Sequence, residues 1–246
     1  MSMTWKGMTM AGQRVLAGIL LVAAGVSMAG NKPPADPDPN RFAPEIKAFA
    51  ESDSKNAVPP EPVLFVGSSS IRLWRTHESF PDLPVINRGF GGSHISDVLH
   101  FADRVVLPYQ PKVIVFYAGD NDLAGGKSAQ RVLEDYRKFV GLVHAARPAA
   151  RIVFVAVKPS GSRWSLWPEM NKANELVRDF CKRDARLVYA DLNAALLGAD
   201  GTPDSGLFLK DQLHLNAKGY ALWTKALAPI LQKVLASAPP AGAKQQ

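Results

Sequence analysis

The sequence predicts an α/β fold, a three-layer α/β/α sandwich around a central parallel sheet of five strands. Two observations carry this prediction. Short runs rich in valine and isoleucine are apolar almost throughout, as strands are when helices cover both faces of a parallel sheet. Longer segments with apolar residues at helical spacing alternate with these runs, and every parallel connection needs such a crossover. The expected strands lie at 62–67, 84–89, 112–119, 151–157 and 186–191.

The helical segments follow in order along the chain. The first lies within RFAPEIKAFAESDSKN, residues 41–56, and the prolines of AVPPEP end it. Further helices are expected at about 95–107, 128–147, 168–184 and 217–236. A chain of 246 residues suits one domain, which we place at 59–237 after a linker and N-terminal helix at 30–58. The segment SAPPAGAKQQ predicts a flexible tail at 238–246.

The first 29 residues have the pattern of a secretory signal peptide. Lys6 and Arg14 precede the apolar run VLAGILLVAAGVSMAG, and Ser27 and Ala29 are small residues at the minus-three and minus-one positions of a cleavage site. We therefore expect residues 1–29 to be removed and the rest to be periplasmic or secreted, without stable membrane insertion. The alternative is a tether made by the uncleaved segment, although 16 apolar residues are fewer than the roughly twenty that span a bilayer.

Composition and spacing argue against several other classes of protein. The net charge of +7 falls to +5 when Lys6 and Arg14 are removed, and the remaining basic residues are scattered, so nucleic acid is not an expected partner. The single cysteine, Cys181, cannot form an intramolecular disulfide and is expected to be a buried, inert thiol. Neither a P-loop nor a dinucleotide fingerprint is present, and no His or Cys pair has zinc spacing. We therefore expect no cofactor and no metal.

Polar and glycine-rich segments follow the predicted strands, where parallel sheets collect their ligands. GSSS follows the first strand, GFGGSH the second and GDND the third. A serine needs a histidine to take its proton, and His214 has a carboxylate, Asp211, at helical-turn distance. The turn that holds Gly91 and Gly92 can offer a backbone N–H to an oxyanion, and Asn121 can offer its side-chain amide. These groups together favour hydrolysis by a serine nucleophile.

Four blocks in order, FVGSSSIRLW, NRGFGGSHISDVL, YAGDND and KDQLHLNAKGY, resemble the signature blocks of the SGNH hydrolase superfamily. This superfamily contains the GDSL-like esterases and acylhydrolases and the catalytic subunits of platelet-activating-factor acetylhydrolase. The resemblance covers about residues 60–235 and implies a flavodoxin-like fold with a Ser-His-Asp triad. It places the nucleophile at Ser69 and the base and its orienting acid at His214 and Asp211. The implied oxyanion donors are the Ser69 N–H, the Gly92 N–H and the Asn121 amide.

One residue departs from the usual pattern of the family. Ser68 stands where the GDSL form has aspartate, which leaves its structural role open but removes no member of the triad. For the substrate, we expect His94 to line the site, and Trp164 and Trp167 to present aromatic faces beside it. For each tryptophan the alternative is packing against the core.

The sequence alone leaves the substrate open among three possibilities. The leading one is an exported esterase that removes short-chain O-acyl groups from a small molecule or a glycan. A lysophospholipase or thioesterase is the second, and it would need a long apolar groove, for which the sequence contains no extended apolar insertion. The third is a non-catalytic carbohydrate-binding module on the same fold.

Overall fold

The computed structural model of the chain describes residues 1–4 and 34–237, and residues 34–237 form the fold below. Within them lies a sheet of five strands, all parallel, which confirms the predicted α/β class. The strand order is β2-β1-β3-β4-β5, the flavodoxin-like order whose switch point lies between β1 and β3. The strands are β1 Val63–Gly67, β2 Val85–Gly89, β3 Val113–Tyr117, β4 Arg151–Val155 and β5 Leu187–Ala190.

Alternate residues of each strand enter two different apolar cores, one on each face of the sheet. In β1, Leu64 and Val66 are fully buried in the first core, and Val63 and Phe65 are fully buried in the second. Because both faces are covered, the strand can be apolar at every position, which explains the continuous apolar runs of the sequence.

Helices cover both faces of the sheet, which gives the three predicted layers. Those of the first core are α1 Ala43–Asp53, α4 Ile95–His100, α5 Ala102–Val105, α7 Ala129–Ala146 and α8 Trp167–Cys181. Those that contribute to the second core are α2 Ser69–Arg72 and α9 Ala217–Ala236. Two further short helices are α3 Thr76–Ser79 and α6 Asp120–Ala124.

Two predicted elements are shorter or more divided than the sequence indicated. The expected helix at 95–107 is interrupted at Phe101, whose φ of −102° and ψ of 13° separate α4 from α5. The strand predicted at 112–119 ends earlier, at Tyr117. Gly119 adopts a φ of +118°, and α6 begins directly after it. Hydrophobic periodicity cannot resolve helices of four to six residues, so α2, α3 and α6 were not expected.

The N-terminal helix α1 packs on the domain. Phe42, just before it, and Ile46 within it are buried in the first core. The predicted signal peptide at 1–29 lies largely, and the predicted tail at 238–246 entirely, outside the described residues. Among the described helices, none has the length and apolar character that crossing a membrane requires.

Candidate active site

Ser69 lies at a sharp turn between β1 and α2, at the carboxyl edge of the sheet. The turn depends on Gly67, whose φ is +138°, and a Cβ at this position would overlap the Tyr117 carbonyl oxygen. The Ser68 N–H donates to that same carbonyl at 2.9 Å, which fixes the turn against β3. Ser69 is thereby placed at the first position of α2 with its Oγ 2.9 Å from His214 Nε2.

The structure distinguishes the three consecutive serines by what their hydroxyls contact. Ser69 Oγ meets His214, whereas the Oγ atoms of Ser68 and Ser70 are buried and have no hydrogen-bond partner among the described residues. The Ser70 carbonyl accepts a hydrogen bond from the Tyr220 hydroxyl at 2.9 Å, which ties α2 to α9. Ser68 and Ser70 are therefore packing residues of the turn.

Asp211 and His214 are joined by a short loop that Asp211 itself organises. Its Oδ2 lies 2.6 Å from His214 Nδ1. Its Oδ1 accepts the N–H groups of Leu213 at 2.9 Å and His214 at 3.0 Å. The hydrogen bonds from the His214 side chain and backbone lower the pKa of Asp211 to about 2. The carboxylate is therefore ionised at neutral pH and holds the imidazole with Nε2 directed at Ser69.

The loop continues into α9 through a helix cap. Asn216 accepts the N–H groups of Lys218 and Gly219 at 2.9 and 3.2 Å, so it is the N-cap of α9. Its amide also donates to the Phe208 carbonyl at 3.1 Å, and the Leu209 N–H donates to the His214 carbonyl at 2.7 Å. The histidine is thus fixed to a long helix that is anchored in the second core by Trp223, Leu227 and Leu231.

The glycine turn after β2 and the loop after β3 complete this edge of the sheet. Gly92, whose N–H is a predicted oxyanion donor, is exposed and has a φ of +74°, and a Cβ built on it would have no neighbour within 4 Å. Neither this N–H nor that of Ser69 has a hydrogen-bond partner within the described part of the chain. Asn121, at the start of α6, donates from Nδ2 to the Ser93 carbonyl at 3.1 Å.

The remaining predicted residues lie around this centre. His94 precedes α4, and its Nδ1 is 3.8 Å from a carboxylate oxygen of the buried Asp122. Burial lowers the pKa of His94. Trp164 and Trp167 are half-buried and stack on each other, with ring centroids 5.8 Å apart, and Trp167 also packs against the first core. No hydrogen bond joins His94 or either tryptophan to Ser69 or His214 in the residues described.

The sequence reasoning missed Arg163, which lies in the KPSGSRW segment next to Trp164. Its NH2 group donates to Asn121 Oδ1 at 2.8 Å, and its NH1 group lies 3.3 Å from Asp120 Oδ2. Asp120 is also 3.4 Å from the ammonium of the buried Lys158. Burial raises the pKa of Asp120, but the charges of Lys158 and Arg163 outweigh it and the net shift is downward. A basic residue between glycine and tryptophan after a strand was the only sequence signal.

A second buried ion cluster holds the other aspartate of the GDND block. Lys127 Nζ lies 2.9 Å from Asp122, 2.8 Å from Asp36 and 3.5 Å from Asp135, and the lysine side chain is only 1% exposed. The pKa of Lys127 is raised, because Asp122 and Asp36 more than offset the effect of burial. The cluster fixes the loop after β3 to α7 and to the segment before α1.

An apolar groove of about 820 Å³ lies beside the histidine loop. Leu73, one helical turn after Ser69, and Leu215, directly after His214, both line it. The groove therefore begins next to Ser69 and His214. Leu73 and Leu209 both line the groove and are 40% and 45% exposed. Other lining residues are Trp74, Ser79 and Tyr220, together with the charged Arg75, Glu78 and Lys225.

A serine hydroxyl bonded to a histidine–aspartate pair at the edge of an α/β/α sheet defines a serine hydrolase. The model of the GDSL-like Lipase/Acylhydrolase family matches residues 69–222. Platelet-activating factor acetylhydrolase IB subunit alpha1 of Pongo abelii is 33% identical over 193 residues, which cover 75% of this chain and 80% of that protein. The chain belongs to the GDSL-like lipase/acylhydrolase family, and the resemblance to SGNH hydrolases is confirmed.

Solved structures agree on the fold. A GDSL-like lipase from Bacteroides thetaiotaomicron has a TM-score of 0.64 at 19% identity and covers 76% of this chain and 97% of its own. A carbohydrate esterase family 3 protein from Talaromyces cellulolyticus has a TM-score of 0.58 at 19% identity, with coverage of 72% and 99%. These similarities support the three-layer architecture.

Proposed function

We propose that this protein hydrolyses carboxylic esters, with Ser69 as nucleophile, His214 as general base and Asp211 as the acid that orients the histidine. The observation that supports this most directly is the unbroken hydrogen-bonded chain from Ser69 Oγ through the imidazole to Asp211, with distances of 2.9 and 2.6 Å. The residues that we propose as oxyanion donors, Ser69, Gly92 and Asn121, follow β1, β2 and β3 at the same edge of the sheet.

Ser69 Oγ attacks the ester carbonyl carbon while its proton passes to His214 Nε2. The electrons of the carbonyl bond move to its oxygen, where the N–H groups of Ser69 and Gly92 and the amide of Asn121 stabilise the negative charge. When this intermediate collapses, the C–O bond breaks and the leaving alkoxide takes the proton from His214. Water then attacks the acyl-serine, gives its proton to His214, and the acid leaves as the proton returns to Ser69.

The first experiment compares three serine variants on p-nitrophenyl acetate. Ser69→Ala should lose hydrolysis and labelling by a fluorophosphonate probe, while Ser68→Ala and Ser70→Ala keep both, because their hydroxyls contact neither His214 nor an open surface. Activity of Ser69→Ala at the wild-type rate would refute the assignment. An absence of labelling in the folded wild-type protein would favour the non-catalytic carbohydrate-binding module.

For the substrate, we propose a short-chain O-acyl ester on a small molecule or glycan in an exported setting. The name of the curated relative, an acetylhydrolase, supports a short acyl group. Acetate release from acetylated xylan and from acetylated peptidoglycan fragments tests the glycan, with propyl acetate as the non-glycan comparison. Export is tested by the N-terminus of the mature protein, which should begin after Ala29.

The apolar groove supports a second candidate, an ester that carries a lipid-like chain. Its mouth lies beside Leu73 and Leu209, and an apolar chain would cover these exposed side chains. Two substrate series locate the chain: p-nitrophenyl esters of increasing acyl length and alkyl acetates of increasing alcohol length. A KM that falls with chain length in one series would favour the lipid ester if Leu209→Asn abolishes this trend. Val58→Asn is the control, since Val58 is 41% exposed and Leu209 45%, and it should keep the trend. Equal KM throughout would favour the short-chain glycan ester.

A further inference from the structure

Arg163 holds Asn121 by the oxygen of its side-chain amide. The guanidinium reaches across from the loop after β4, donates to Asn121 Oδ1 at 2.8 Å and lies 3.3 Å from Asp120 Oδ2. The arginine side chain is only 18% exposed, so this contact is shielded from water. The neighbouring Asp120 also accepts the Asn121 N–H at 2.9 Å. Both the backbone and the side chain of Asn121 are therefore held by one ion pair.

The two contacts of the Asn121 amide agree on its orientation. A guanidinium can only donate, so the atom facing Arg163 must be the amide oxygen. The Ser93 carbonyl can only accept, so the atom 3.1 Å from it must be the amide nitrogen. A rotation of the amide by 180° would break both hydrogen bonds and oppose donor to donor and acceptor to acceptor. One of the two Nδ2 hydrogens is used by Ser93, and the other has no acceptor among the described residues.

We propose that Arg163 is a positioning residue that keeps the free N–H of Asn121 directed at the oxyanion. This inference rests on the proposed function, in which Asn121 is an oxyanion donor. Donors contribute to catalysis when they are already oriented before charge develops, because no reorganisation is then needed. Without Arg163, no other donor in residues 34–237 holds the amide oxygen, and the amide can turn this oxygen toward the developing negative charge.

A purely structural role for Arg163 would be to neutralise the buried Asp120. Two other groups already face this carboxylate, Lys158 at 3.4 Å and the hydroxyl of Tyr117 at 3.1 Å. If Arg163 only neutralised Asp120, its loss would lower the stability of the protein. It would also lower kcat by the same factor whether residue 121 is asparagine or alanine. Orientation makes the effect on kcat depend on the amide.

The test is a double-mutant cycle on p-nitrophenyl acetate with Arg163→Met, Asn121→Ala and the combination. Asn121→Ala should lower kcat by about 100-fold or more, as the loss of an oxyanion donor does. Arg163→Met should lower kcat by roughly 10- to 100-fold with KM changed less than about threefold, and should change kcat by less than about threefold when Asn121 is already alanine. Arg131→Met, which removes an arginine of 26% exposure from Asp36 and Asp135, is the matched control and should keep kcat.

The inference would be overturned if Arg163→Met lowered kcat equally with asparagine and with alanine at position 121, or lowered it in neither. Arg163→Lys keeps the charge and a donor, and should lower kcat less than Arg163→Met does. If Arg163→Met does not fold, Arg163→Lys is used for the same comparison. Its kcat should fall by roughly threefold to tenfold when Asn121 is present and should not fall when residue 121 is alanine. Any other pattern overturns the inference. Failure of the proposed function is separate, because it would appear as activity in Ser69→Ala.

Discussion

Replacing Asp211 with asparagine should abolish most activity by changing which nitrogen of His214 carries the proton. In the structure Oδ1 accepts two backbone N–H groups, from Leu213 and His214, and Oδ2 faces His214 Nδ1. The single oxygen of an asparagine must take the Oδ1 position, because an NH₂ group there would face two donors. Its NH₂ group then faces Nδ1, which must become an acceptor, so the proton moves to Nε2.

A protonated Nε2 can donate to Ser69 Oγ but cannot take its proton. We therefore expect Asp211→Asn to lower kcat by about 10⁴-fold, which corresponds to about 5 kcal/mol in activation free energy. KM should change little, since no group that binds the ester is removed. The backbone contacts of the loop survive in asparagine, so Tm should fall by no more than about 4 °C, or about 1 kcal/mol for a domain of this size.

The pH dependence of the wild type provides the control for this prediction. The folded-state pKa of Asp211 is about 2, below its ordinary value of 3.8. Because the pKa of Asp211 is lower in the folded state, its carboxylate stabilises the fold at pH values above its pKa in the unfolded state. This contribution is lost as the pH falls through its pKa in the folded state. Asp211 therefore stays ionised at every pH above about 4, and any acid limb of kcat in that range belongs to another group. Retention of kcat within tenfold in Asp211→Asn would refute the tautomer argument.

Two further predictions concern the framework of the site. Gly67→Ala should prevent soluble expression, because its Cβ would overlap the backbone of Tyr117. Gly92→Ala should fold, at a cost of about 1–2 kcal/mol from its φ of +74°. It should lower kcat, because it displaces the proposed oxyanion N–H. Normal thermal unfolding of Gly67→Ala would contradict the steric argument. Lys127→Met leaves the fully buried Asp122 without its ammonium partner, whereas Asp36 and Asp135 keep Arg131, and should lower the free energy of unfolding by about 3–5 kcal/mol. Lys138→Met is its control, since Lys138 bonds Asp135 at 3.0 Å but is 62% exposed, and should cost no more than about 1 kcal/mol. Similar urea midpoints for the two lysine variants would contradict the second prediction.

The strands and the order of the sheet-edge residues could be predicted because their signals are local. Continuous apolar runs predict buried parallel strands, and the residues that follow them must share one edge. Asp211 and His214 are three residues apart, so one turn of chain brings them together. Ser69 is 145 residues from His214, and only the family resemblance selected it from three serines of the same chemistry.

The contacts that orient the donors could not be predicted in the same way. Arg163 and Asn121 are 42 residues apart, and neither segment has a pattern that specifies the other. Their meeting depends on the conformation of the loop after β4, where Arg163 has a φ of −120° within a short 3-10 helix. Burial of Lys127 was equally hidden, since lysine is among the residues least often buried and its carboxylate partners come from three parts of the chain.

The loop after β4 joins the two chemical halves of the candidate site. The N–H and hydroxyl of Ser162 both donate to the Gln212 carbonyl, at 3.1 and 3.2 Å, within the loop that carries His214. The next residue, Arg163, bonds Asn121 on the oxyanion side. A shift of this loop therefore displaces the proposed proton acceptor and the proposed oxyanion donor together, and a misplacement of about 1 Å can cost on the order of 100-fold in rate. A ligand that contacts Trp164 would consequently act on kcat through the loop as well as on KM.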